Sequence, residues 1–115
     1  NLLETFPYEG HPQQINYTTE EFSAVCPFSG LPDYGKLVVE YIPGDCIVEL
    51  KSLKYYITSF RNVGIYQEHV TNRIFDDLKK LLNPTKLKIT TIYNTRGGID
   101  TTCSIEHPQV SQPIK

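Results

Sequence analysis

At 115 residues, 39% apolar and 21% charged, the chain has the composition of a folded globular protein with one modest core, and a single domain over 1–115 is expected. No apolar run approaches the roughly 18–20 residues that span a bilayer, and a net charge of -2 argues against a general nucleic-acid binder. Three cysteines without C-x-x-C spacing argue against a disulfide framework and fit a reducing cytoplasm.

The opening "NLLETFPYEG" lacks the basic and apolar regions of a signal peptide, so none is expected. With Pro7, Gly10 and Pro12 it reads as an extended arm. "QQINYTTEEF", Gln13 to Phe22, alternates in part and predicts a strand. "CPFSGLPDYG", Cys26 to Gly35, holds two prolines and two glycines and predicts an irregular loop. "KLVVEYI", Lys36 to Ile42, is β-branched and aromatic and predicts a strand; "PGD" closes it, and "CIVEL" is expected to return antiparallel to it.

A short helix is expected over Leu50 to Phe60 and a longer one from Tyr66 to Leu82. In the longer helix Val70, Ile74, Leu78 and Leu81 recur at helical spacing, with Phe75 and Leu82 widening the stripe; Pro84 stops it. "KLKITTIYNT" and "IDTTCSIEH" predict two strands around a tight "RGG" turn. The order strand, strand, strand, helix, helix, strand, strand indicates an α+β fold, an antiparallel sheet with two helices on one face. Such a sheet leaves its other face and both edges uncovered, so assembly of copies is a physical expectation.

Cys26 follows a strand in a punctuated loop, with Asp33 seven residues on. A free cysteine is usually a small buried hydrophobe, yet a rigid turn also suits a nucleophile beside a proton-handling carboxylate. Glu68 and His69 can be ordinary first-turn helix residues; alternatively, Glu68 can accept two hydrogen bonds from an amidine-like edge such as guanine's. Lys51, Lys54 and Arg61, in "VELKSLKYYITSFRN", can be the solvated side of a helix whose Leu50, Leu53 and Ile57 face the core. The same cations can hold a phosphorylated ligand. Arg96 is a hairpin residue first and a phosphate clamp second. Cys46 and Cys103 fall in strands as packing residues, and the three histidines form no ligand spacing with the cysteines, so no metal is expected.

Three stretches in order carry a resemblance: "VCPFSGLPDY", "ELKSLKYY" and "SFRNVGIYQEHVTNRI". With "LLETFP" before them and "RGGI" after, the sequence resembles the QueF family of NADPH-dependent nitrile reductases, which reduce 7-cyano-7-deazaguanine to 7-aminomethyl-7-deazaguanine in queuosine biosynthesis, a tRNA-modification pathway. "ELKSLKYY" matches the family signature E-[SL]-K-[SA]-hydrophobic-K-x-[YFW]. The resemblance implies a tunnelling fold assembled into pentameric rings, with sites between subunits and two rings stacked as a decamer. It implies that Cys26 adds to the nitrile carbon as a thioimide and that Asp33 handles the proton. It further implies that Glu68 holds the guanine-like edge, that Val48, Glu49 and Leu50 line the base pocket, and that Lys51, Lys54 and Arg96 face the phosphates of NADPH. Many members carry a His before the helix glutamate; here that slot is Gln67, which can hydrogen-bond to substrate but cannot titrate. Two other functions stay open. One is the related archaeal amidinotransferase, which uses the same Cys and Asp on tRNA without reduction; the other is a non-catalytic purine- or pterin-binding protein. An intact "ELKSLKYY" favours the reductase, and Cys26 together with Asp33 counts against an inert binder.

Overall fold

A computed structural model describes residues 2–109; the side chain of Arg96 lies outside the described part. Its strands are β1 (Thr5–Pro7), β2 (Ile15–Val25), β3 (Pro32–Ile42), β4 (Cys46–Val48), β5 (Lys86–Arg96) and β6 (Ile99–His107). Between β4 and β5 come α1 (Leu50–Thr58), a 3-10 turn (Ser59–Asn62) and α2 (Gln67–Leu82).

Strand alternation sorts the four-stranded antiparallel sheet, ordered β2-β3-β5-β6, into two faces. Leu37, Val39 and Tyr41 of β3 point inward beside Leu87, Ile89, Thr91 and Tyr93 of β5, and all are buried. The intervening Lys36, Val38 and Glu40 sit on the half-covered outer face. The expected stripe of α2 packs on the inner face: Val70, Ile74 and Leu78 are fully buried and Leu81 is packed at the margin. That helix ends at Asn83, whose left-handed φ of 43° and N–H bond to the Lys79 carbonyl stop it one residue ahead of Pro84.

Several elements differ from expectation. β2 begins at Ile15 and runs on to Val25, with a bulge between Thr19 and Phe22. "CIVEL" does not return onto β3. Both edges of β3 are already taken, by β2 and β5, so β4 leaves the sheet and pairs with the N-terminal arm in a separate two-stranded ribbon. The Val48 N–H donates to the buried Tyr41 hydroxyl at 3.2 Å, which fixes that departure. The loop after β2 is shorter than expected, because Pro32 starts β3, as a strand's first position allows, and Asp33 and Tyr34 pair with Ala24 and Ser23. Leu50 does not face the core with Leu53: it is 60% exposed. The short helix tightens into the 3-10 turn after Thr58. Among the described residues no helix is long and apolar enough to cross a membrane.

Candidate active site

Cys26 stands where β2 ends. The preceding Val25 is held on both sides by the segment leading into α2, with Val25 N–H to the Val63 carbonyl and Ile65 N–H to the Val25 carbonyl, each 2.9 Å. Cys26 then closes the loop on itself: its N–H donates to the Leu31 carbonyl at 2.9 Å and its carbonyl accepts from Gly30 N–H at 2.8 Å. Gly30 takes a φ of 73°, which suits glycine in so tight a return. The thiol pKa is lowered, first by the Ser29 hydroxyl and then by the N–H groups of Ser29 and Phe28, all of which stabilise the thiolate. Burial and the charge of Asp33 push the other way with smaller effect. Asp33 stands opposite Ala24 in the ladder, so a strand and not a mobile turn presents its carboxylate to the same loop.

The other side of the site is the first turn of α2. Glu68 is exposed, while its neighbour Gln67 is turned into the core, 7% exposed. The Gln67 amide nitrogen donates to the Thr91 carbonyl (3.2 Å), Thr91 Oγ1 (3.2 Å) and the Thr101 carbonyl (3.0 Å). Thr71 Oγ1 donates back to the Gln67 carbonyl at 2.7 Å and lies 2.7 Å from Thr91 Oγ1. One orientation satisfies the ring: Gln67 donates to Thr91, Thr91 to Thr71, and Thr71 to the Gln67 backbone. This ring pins the start of α2 onto β5 and β6 and holds Glu68 at the surface. Cys103 abuts it; burial pushes its thiol up, with the Glu68 charge adding. Tyr93 completes the floor. Burial pushes its phenol up to about 12, and the charges of Asp33, Cys103 and Glu68 add to the shift.

The expected cofactor cations lie elsewhere on the chain. Lys51, Lys54 and Arg61 line a groove of about 510 Å³ between α1 and β2, over an apolar floor that includes Leu37, Leu53 and Ile57. Among the described residues none of the three forms a salt bridge, and Lys51 Nζ sits 6.0 Å from the Tyr55 ring centroid. Leu50 borders this groove, Val48 is buried in the core, and Glu49 caps α1. Both Glu49 carboxylate oxygens accept backbone bonds, from Lys51 N–H at 2.6 Å and Ser52 N–H at 2.8 Å, and these lower its pKa. The fold thus brings Cys26, Asp33, Gln67 and Glu68 to one end of the sheet and Leu50, Lys51 and Lys54 to a separate groove, whose lining includes none of those four. Arg96 belongs to β5, and its side chain lies outside the described part.

Sequence reasoning passed over Ser29 and Tyr93. A serine three residues after a loop cysteine is the available signal for the first. An inward position in the alternation of β5 is the signal for the second.

An acidified, half-exposed thiol beside a strand-borne carboxylate, on an antiparallel α+β sheet, defines a protein equipped for covalent addition to an electrophile. A family profile described as QueF-like protein matches residues 32–112. The chain is 59% identical over 103 residues to the NADPH-dependent 7-cyano-7-deazaguanine reductase of Thermotoga maritima, covering 89% of this chain and 75% of that one. It is 47% identical over 110 residues to the reductase of the same name from Chlorobium phaeobacteroides, covering 94% and 95%. It superposes on the crystal structure of the apo archaeosine synthase QueF-Like with a TM-score of 0.81 at 24% identity, over 89% of this chain and 100% of that one, a likeness of fold alone. The chain belongs to the QueF family.

Proposed function

We propose that this chain is an NADPH-dependent nitrile reductase that converts 7-cyano-7-deazaguanine to the 7-aminomethyl compound for queuosine synthesis, with Cys26 and Asp33 as its catalytic pair. The observation that carries this reading is the Cys26–Leu31 turn, which lowers the thiol pKa through Ser29 and sets it beside Asp33. A nitrile carbon is a weak electrophile. Attack by the Cys26 thiolate becomes productive when the nitrogen is protonated as the C–S bond forms. Asp33 takes the thiol proton and returns it to the nitrile nitrogen, so the product of the first step is a neutral thioimide on Cys26. Glu68, exposed at the start of α2, accepts the lactam N–H and the exocyclic amine of the base, and Gln67 positions it through the Thr71–Thr91 ring.

The groove fits a phosphorylated cofactor in chemistry: unpaired cations line its rim and apolar side chains its floor. Lys51 and Lys54 would hold phosphates there, with Arg96 a further candidate and Glu49 and Leu50 at the adjoining end. Bound NADPH supplies hydride, two equivalents for each nitrile taken through the imine to the amine. Because the thiol and the groove stand apart on one chain, the complete site forms between copies, in a decamer of two pentameric rings. The relatives at 47–59% identity carry the reductase name, whereas the archaeosine synthase is alike in fold alone, so the amidinotransferase reading has less support.

Mixing the protein with the nitrile and NADPH and following the reduced nicotinamide band tests the proposal. Two NADPH consumed per nitrile, and none with Cys26→Ala, is the expected result. A protein that consumes no NADPH is not this reductase, and an amine transfer without reduction would take its place.

A further inference from the structure

Tyr93 lies on the inner face of β5 directly opposite Gly35 of β3. Its ring occupies the space left by the missing side chain: a Cβ at position 35 would meet Tyr93 Cδ1 at 2.8 Å and the Ile92 carbonyl at 2.5 Å. Phe22 backs the ring from β2, with centroids 6.3 Å apart. Asp33 is the next inward position along β3 from Gly35. On the other side, Tyr93 pairs with Thr101 of β6, whose carbonyl is bound by Gln67, the neighbour of Glu68. The phenol therefore stands on one face with Asp33 and Glu68, and both charges reach it. Tyr93 is 8% exposed, and its Oη is, among the described residues, the one buried side-chain nitrogen or oxygen without a hydrogen-bond partner. A fold seldom leaves such a group idle, because a buried unpaired hydroxyl destabilises it.

Resting on the reductase reading above, we infer that Tyr93 Oη is a substrate-recognition group, donating a hydrogen bond to the ring carbonyl oxygen of the deazaguanine nitrile. The substrate's own edge supports the assignment. Glu68 takes the lactam N–H and amine; Cys26 and Asp33 take the nitrile; the ring carbonyl lies between those two groups and needs a donor. Ionised carboxylates only accept, and the Gln67 amide hydrogens are committed to Thr91 and Thr101, whereas a phenol held neutral by burial donates.

The test is a ligand pair read against a residue pair. In a Cys26→Ala background, which stops covalent addition, the dissociation constants of 7-cyano-7-deazaguanine and of its analogue with sulfur in place of the ring oxygen are measured by calorimetry. The thione keeps the N–H that Glu68 binds but is a poor acceptor. Without further change the oxo ligand should bind about tenfold tighter, the worth of one good hydrogen bond. Adding Tyr93→Phe should weaken the oxo ligand about tenfold and move the thione by no more than about twofold. A tenfold preference that survives Tyr93→Phe overturns the inference. So does a lower melting temperature for Tyr93→Phe alone, since that would reveal a structural partner for the hydroxyl. If the wild-type protein neither binds nor turns over the nitrile, the reductase reading falls first and this inference with it.

Discussion

At Cys26, three donors from one short turn stabilise negative charge on sulfur: the Ser29 hydroxyl and the N–H groups of Ser29 and Phe28. The side chains that make this turn are otherwise exposed, Phe28 by 90%. Their conformation is set by the loop's own backbone bonds and the Ser29 Oγ contact with Leu31 N–H at 3.2 Å. The sign of the Ser29 effect follows. Its hydroxyl favours the thiolate, so Ser29→Ala raises the Cys26 pKa and leaves less thiolate near neutral pH. Alkylation of Cys26 by iodoacetamide, read by peptide mapping, should slow by about three- to tenfold at pH 7 and converge with wild type at alkaline pH. An unchanged pH profile would remove Ser29 from the account. The cysteine, the aspartate and the helix glutamate were nameable as candidates from the sequence, and the fold sets them at one end of the sheet. Tyr93 and Ser29 were not, because their chemistry comes from an absent partner in one case and a turn's geometry in the other. Spacing marks each only weakly, as a serine three residues after the cysteine and an inward position of β5. Gln67 was legible only as a departure from the family pattern; its burial depends on Thr91 and Thr101, which are distant in sequence.

At the scale of elements, α2 was the most legible part of the chain, since a stripe recurring every four residues survives whatever the helix packs against. The partner of β4 was the least legible. A strand of three residues carries almost no pattern of its own and pairs with whichever edge the larger sheet leaves free. The two helices are tied together by a bond that the sequence also hid: the Tyr56 hydroxyl donates to Asp77 Oδ2 at 2.5 Å, and Arg73 Nε lies 3.5 Å from the same oxygen. Burial and the Asp77 carboxylate push the phenol up, so it stays protonated and donates. Tyr56→Phe keeps the edge-on contact with Phe60 and removes only this bond. It should lower unfolding free energy by about 1–2 kcal/mol in a denaturant titration, since the acceptor is charged but keeps Arg73. A loss under a few tenths would mean that the two helices are held by packing alone.

The whole molecule is a slab, 46 × 41 × 19 Å, close to one sheet plus one helix layer. Helices cover its inner face; apart from Val25, which the 63–65 segment holds, the outer edge of β2 and that of β6 pair with no further strand among the described residues. Phe6, Phe28, Leu31, Tyr34 and Ile99 add exposed apolar surface, three of them in or beside the Cys26 turn. In the assembly proposed above, joining copies edge to edge would cover that surface and bring one copy's thiol towards another's cationic groove. The proposal of assembly rests on the strand and helix order, and the number of copies rests on the family resemblance. Native mass spectrometry of the protein incubated with 7-cyano-7-deazaguanine in the absence of NADPH reads the thioimide and the assembly together. The expected species is a ten-chain particle whose chains each carry one added nitrile mass, lost when NADPH is supplied and never formed by Cys26→Ala. A particle whose chains keep their unmodified mass would contradict it.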